Sequence, residues 1–206
     1  MKSKLTALAC ATGLAFLLLT ILVATGNTAI FDFAVRTWAL SLNSPNLVTF
    51  WKSLTLLGSV AVLTSMTAIS LGLLIFNHHR PAATLLSIAM AGSVAFDNSI
   101  KWLVHRPRPD EFYADTLPTS FSYPSGHALY NLVFYFTSAY ILSRDIIPVW
   151  RRELWIVAII LAILIGASRI FLGVHYFSDV LGGYLVGITW LILAVFISGK
   201  VARRLS

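Results

Sequence analysis

Only 11% of the 206 residues are charged and 58% are hydrophobic, with a mean hydropathy of +0.82. A water-soluble domain carries roughly a quarter charged residues, so this composition excludes that class and places the chain in the bilayer. The net charge of +7 does not indicate nucleic acid, because the positive charges gather at the ends of apolar segments, and the single Cys10 excludes an intrachain disulfide framework or a cysteine metal site.

Six stretches approach the about 20 apolar residues that a spanning helix needs: 5–24, 54–76, 82–104, 127–143, 153–172 and 179–199. Lys2 and Lys4 ahead of the first are reminiscent of a signal peptide. The apolar run that follows exceeds the roughly 7–15 residues of a signal core, so it reads as a retained anchor. The fourth stretch is short and crosses only if Ser125 and Gly126 begin it. No low-complexity linker divides the chain, and residues 1–206 read as one all-α membrane domain.

With six spans both termini share a side. That side collects Lys2, Lys4, Arg80, Arg144, Arg151, Arg152, Lys200, Arg203 and Arg204, nine of the fifteen Lys and Arg. Arg36, Lys52, Lys101, Arg106, Arg108 and Arg169 lie opposite. The positive-inside rule therefore predicts cytoplasmic termini and an outer loop over 105–126. Trp38, Trp51 and Trp102 suit interfacial belts. His78 and His79 read as a solvated pair on the cytoplasmic side, and Asp110, Glu111 and Asp115 as solvated outer-loop residues. Gly182, Gly183 and Gly187 would let the last helix pack closely.

Three clusters of polar residues fall at span ends on the outer side, where such residues are expected to be functional. The first runs from Lys101 to Pro109 and holds Lys101, His105, Arg106 and Arg108; the second is Pro124-Ser125-Gly126-His127; the third is Ser168-Arg169, followed by His175 and Asp179. Lys101, Arg108 and Arg169 supply three positive charges suited to a doubly charged anion. Ser125 and Gly126 stand where a helix starts, so its N–H groups and dipole add to an anion site. Metal-free phosphoryl transfer needs a nucleophile and a proton donor, and two histidines are present. Asp179 lies four residues after His175, placed to hold one ring nitrogen and leave the other to attack phosphorus. Asp97, one turn before Lys101, is placed to orient that lysine.

These clusters resemble the signature of the type 2 phosphatidic acid phosphatase family, which includes bacterial lipid phosphatases, glucose-6-phosphatase and soluble vanadium haloperoxidases. The family pattern is matched at Lys101, Arg108, Pro109, Pro124, Ser125, Gly126, His127, Ser168, Arg169, His175 and Asp179. The resemblance implies that His175 is the nucleophile, oriented by Asp179, and that His127 protonates the leaving group. It implies phosphate binding by Lys101, Arg108, Ser125, Gly126 and Arg169. It implies no cofactor and no metal, and the sequence offers no carboxylate cluster suited to magnesium.

The expected activity is therefore that of a lipid phosphatase in a bacterial cytoplasmic membrane, its site facing outward and its lipid tail remaining in the bilayer. Undecaprenyl pyrophosphate and phosphatidylglycerophosphate are the favoured substrates, ahead of phosphatidic acid and the phosphates of lipid A. A lipid phosphotransferase using the same phosphohistidine is the alternative. A small anion transporter is a remote one, because the polar residues gather on one side instead of lining a path. The six spans disfavour a haloperoxidase, and no feature specifies an oligomeric state.

Overall fold

The computed structural model describes residues 2–110, 113 and 119–205. Among them regular structure is helical: α1 (Lys2–Ala24), α2 (Ala29–Ser41), α3 (Pro45–Thr55), α4 (Val60–Phe76), α5 (Arg80–Val104), α6 (Gly126–Ile141), α7 (Arg151–Phe171) and α8 (Phe177–Leu205). Helices satisfy every interior backbone polar group within one segment, which a lipid environment demands.

Five stretches are long and apolar enough to cross a membrane: Lys2–Ala24, Pro45–Phe76, Arg80–Val104, Pro148–Phe171 and Phe177–Val201. The expected span 127–143 is α6, whose 16 residues reach about 24 Å at about 1.5 Å per residue, short of the about 30 Å hydrocarbon core. A π turn over Leu142–Ile146 carries the chain further. The sixth crossing therefore does not stand by length alone. Its position explains this: α6 contacts α4, α5, α7 and α8, and so lies inside the bundle instead of facing lipid. The expected second span, 54–76, is corrected as well. The helical stretch begins at Pro45 and is broken by a 3₁₀ turn over Leu56–Gly58, where a Cβ on Gly58 would run into Ile165. Ser44 caps α3 by accepting from the Leu47 N–H at 3.3 Å, and Ser59 caps α4 in the same way through Val62.

α1 packs along α8, joined by a hydroxyl bond between Thr12 and Thr189 of 2.8 Å, and is tied to the segment ahead of α6 by one between Thr20 and Tyr123 of 2.9 Å. Gly182, Gly183 and Gly187 do serve close packing, since a Cβ on each would press on Tyr123, on Ser125 and Ala128, or on Leu129 and Leu132.

Two helices were not expected from hydropathy. α2 is amphipathic, with Ile30 89% exposed and Phe33 and Trp38 exposed, against buried Asp32 and Ala39. That pattern suits a helix lying in the membrane interface. α3 packs on α7, where Trp51 stacks on Phe171 with ring centroids 4.7 Å apart. Trp51 is thus buried and not a belt residue; Trp38 and Trp102 are exposed as expected. Asp110 is exposed, while Glu111 and Asp115 lie outside the described residues.

Candidate active site

The three clusters meet at one end of the bundle. α7 ends with Arg169 in its last turn, and Gly173 takes a left-handed φ of 71° that turns the chain toward α8. The Val174 and His175 amides donate to the Arg169 carbonyl at 3.1 and 3.3 Å. His175 therefore hangs in the connection, 2% exposed, one turn ahead of Asp179, which is fully buried in the first turn of α8.

The bonds around His175 set its tautomer. Arg108 Nη1 lies 3.1 Å from His175 Nε2. A guanidinium only donates, so Nε2 is the acceptor and the ring proton sits on Nδ1. Nδ1 faces Asp179 Oδ2 at 3.3 Å and the Ser122 hydroxyl at 3.4 Å. Oδ2 also accepts from Ser122 at 2.5 Å and from the Tyr176 amide at 2.9 Å. The lone pair of Nε2 thus points toward the cationic side of the site. Burial pushes the His175 imidazole down to about 3 despite the opposing pull of Asp179.

Arg108 is itself held by Ser120, donating from Nε to its carbonyl at 2.7 Å and from Nη2 to its hydroxyl at 3.1 Å, and by the Val174 carbonyl at 3.0 Å. Burial lowers the pKa of Arg108, with Asp179 and Asp97 opposing. Lys101, in the last turn of α5, makes a buried ion pair with Asp97, which also accepts from the Tyr130 hydroxyl at 2.6 Å. The expected Asp97–Lys101 pairing is present. Gly126 borders this pair: a Cβ there would lie 3.4 Å from Lys101 Nζ and 3.2 Å from Asp97 Oδ2.

Arg169 Nη1 donates to Thr55 at 2.8 Å, and its Nε is buried with no hydrogen-bond partner among the described residues. His127, half-buried in the first turn of α6, shares the electrostatic field of Arg169, His175, Arg108 and Lys101. Ser125 is fully buried as the N-cap of α6, its hydroxyl accepting from the Ala128 amide at 3.5 Å and its own amide donating to the Asp179 carbonyl at 2.9 Å. The hydroxyl is thus engaged in capping α6 and the amide in holding α6 to the start of α8, while Gly126 and His127 face the cationic cluster.

Several residues at the site were not singled out in the sequence. Arg106, named there only as a member of the first cluster and given no role, bridges Asp179 and Asp32. Ser122, Tyr130, Thr55 and Tyr176 supply the supporting bonds. Besides Arg106, Asp32 carried a signal of its own, as an acid in an apolar stretch.

Two consequences can be measured. Asp97→Asn removes the carboxylate that fixes Lys101 and is expected to cut kcat/KM by about tenfold or more through loss of an anchored cation; unchanged activity at equal expression would refute the pairing's role. The His175 shift also makes stability depend on pH. An unfolded histidine titrates near 6.5 and the folded one near 3, so acidification protonates only the unfolded chain. The contribution is complete above pH 6.5 and is lost as pH falls below it. Between pH 7 and 5 the wild type is expected to lose about 2 kcal/mol more than His175→Gln in detergent unfolding; equal losses would contradict the shift.

Comparison with known proteins gives the family and the fold. The PAP2 superfamily model matches residues 82–203. Phosphatidylglycerophosphatase B of Bacillus subtilis (strain 168) is 30% identical over 191 residues, covering 91% of this chain and 93% of that protein. An undecaprenyl-diphosphatase of Sulfolobus acidocaldarius is 35% identical over 124 residues, 58% of this chain and 56% of its own. The crystal structure of a transmembrane PAP2-type phosphatidylglycerolphosphate phosphatase from Bacillus subtilis superposes with a TM-score of 0.85 at 28% identity, covering 94% and 96% of the two chains. Aquifex aeolicus LpxE gives 0.62 at 25% identity, covering 80% and 94%. Since the family model spans more than half of the chain and a relative aligns along nearly all of it, the chain belongs to the PAP2 superfamily, as a membrane phosphatase of the lipid-phosphatase kind.

Proposed function

We propose that the protein hydrolyses a lipid phosphomonoester or pyrophosphate through a phosphohistidine at His175. The observation that carries this reading is the pair of contacts on the ring, Arg108 Nη1 at Nε2 and Asp179 Oδ2 at Nδ1, from which the Nδ1 proton is assigned. His175 Nε2 attacks the terminal phosphorus, and the bond from that phosphorus to the leaving oxygen breaks, releasing the lipid alcohol from a monoester or the lipid monophosphate from a pyrophosphate. Protonated His127 gives its proton to that oxygen, and Asp179 balances the positive charge left on the His175 ring. Lys101, Arg108 and Arg169 neutralise the phosphoryl oxygens, with the amide end of α6 at Gly126 behind them. The Arg108 contact gives way to phosphate when substrate enters. Water, deprotonated by His127, then attacks the phosphohistidine; the N–P bond breaks and inorganic phosphate leaves.

The mechanism calls for no metal. The site lies outward in a bacterial cytoplasmic membrane with both termini inside, so that the headgroup reaches it from the interface while the tail stays in lipid. The names of the relatives support phosphatidylglycerophosphate or undecaprenyl pyrophosphate as substrate.

The test is phosphate release by detergent-purified protein from undecaprenyl pyrophosphate, phosphatidylglycerophosphate and phosphatidic acid, with EDTA and vanadate. Release that survives EDTA and falls with vanadate supports the reading, and the ranking gives the substrate. Loss of activity with EDTA refutes metal independence. No release from any lipid, alongside transfer of label to a second lipid, would make the protein a phosphotransferase.

A further inference from the structure

The centre of the site is tied to a helix outside the family signature. Arg106 bridges two buried carboxylates on different elements. Its Nη1 donates to Asp179 Oδ1 at 2.6 Å and to Ser178 Oγ at 2.7 Å, and its Nη2 donates to Asp32 Oδ2 at 2.7 Å. Its guanidinium lies 4.2 Å above the Tyr176 ring. Asp32, on α2 and 1% exposed, also accepts from the Ser178 amide at 2.9 Å and from the Ser178 hydroxyl at 2.5 Å. Ser178 and Asp179 are consecutive residues in the first turn of α8. One carboxylate from α2 therefore holds both the start of α8 and the arginine that grips the carboxylate behind His175.

We propose that Arg106 and Asp32 are positioning residues for the His175–Asp179 pair, so that the interfacial helix α2 forms part of the site's framework. The proposal rests on the reading of His175 as nucleophile. A carboxylate turns readily about its terminal torsion unless both oxygens are engaged. Here Arg106 takes Oδ1, while Ser122 and the Tyr176 amide take Oδ2, leaving one orientation in which Oδ2 faces Nδ1. Charge supports the same role. Two carboxylates share one guanidinium, and this three-residue group keeps a net negative charge beside the ring that becomes positive as the N–P bond forms. Without the Asp32 charge, Arg106 would be left to neutralise Asp179 alone. None of these bonds involves Lys101, Arg108 or Arg169, so the two residues should affect the chemical step and not phosphate binding.

The test compares wild type, Asp32→Asn, Arg106→Lys and His175→Ala in detergent, measuring kcat, KM for the preferred lipid and inhibition by inorganic phosphate. Asp32→Asn keeps the side chain's shape and is expected to lower kcat about 10- to 100-fold, with KM and the phosphate inhibition constant within about threefold of wild type. Arg106→Lys keeps the charge but loses the two-armed bridge, and is expected to lose about tenfold in kcat. A wild-type kcat in the asparagine variant overturns the proposal. So does a parallel shift of kcat, KM and phosphate inhibition, which is the mark of a general structural defect. If Asp32→Asn does not fold, Arg106→Lys decides by the same criteria, with a wild-type kcat overturning the proposal. Activity surviving in His175→Ala overturns the nucleophile reading itself, whereas a dead His175→Ala beside a fully active Asp32→Asn overturns only the role of the framework.

Discussion

Replacing His175 with alanine is expected to lower phosphate release by about 10⁴-fold or more, since removing a covalent nucleophile takes away the whole two-step route and leaves only charge stabilisation by the remaining groups. The loss should fall on kcat, with substrate affinity retained. Lys101 and Arg169 are held by Asp97 and Thr55 and keep their places without the imidazole. Arg108 loses its contact with Nε2 but retains Ser120 and the Val174 carbonyl. Folding should survive as well, because the buried charge of Asp179 still has Arg106, Ser122 and the Tyr176 amide as partners. Steady-state release, together with inhibition by phosphate, checks both parts. Near-wild-type release would show that the nucleophile lies elsewhere.

The second large effect is expected at Gly183, a residue with no side chain to take part in the chemistry. α8 passes so close to the start of α6 that a Cβ at this position would stand 2.7 Å from the Ser125 carbonyl oxygen, 2.9 Å from the Ala128 Cβ and 3.2 Å from the Leu129 amide. The nearest of these atoms belongs to the backbone, so no rotamer change relieves the clash and α6 itself must move. Overpacking of this kind costs about 1–3 kcal/mol. A shift of α6 also displaces Gly126 and His127 from the cationic cluster, and a misplacement of about 1 Å is worth about 10² in rate. Gly183→Val is therefore expected to lose both stability and about 100-fold in kcat. Gly72→Ala on α4, where nothing lies within 4 Å of the added carbon, should match the wild type in both. Unfolding and turnover measured on the same detergent preparations check this, and a fully active Gly183→Val would mean that the two helices do not need this contact.

The cluster residues were legible because membrane burial makes ionisable groups conspicuous. Lys101, Arg108, His127, Arg169, His175 and Asp179 stand out at the ends of apolar runs, and spacing along helices brings them to one end of the bundle. The pairing of Asp97 with Lys101 could be read from a four-residue separation on one helix. What stayed hidden was built across long sequence distances or in segments too short to register as spans. α2 and α3 are 13 and 11 residues long, below the length a bilayer demands, so a search for about 20-residue runs passes over them. Asp32 and Arg106 are 74 residues apart, and no local pattern links them. Trp51 could not be told from a belt tryptophan until Phe171 was seen to cover it. The length of α6 followed the same logic: a helix enclosed by others need not be as long or as uniformly apolar as one facing lipid.

The claim at the centre of this account is that phosphate passes through a covalent intermediate on His175. Stereochemistry at phosphorus tests it most directly. A lipid monoester carrying three oxygen isotopes on a chiral phosphate would be transferred to an alcohol acceptor and the configuration of the product determined. Two in-line displacements, one by His175 Nε2 and one by the acceptor, predict overall retention. Inversion would mean a single direct attack on the substrate, and would contradict the phosphohistidine.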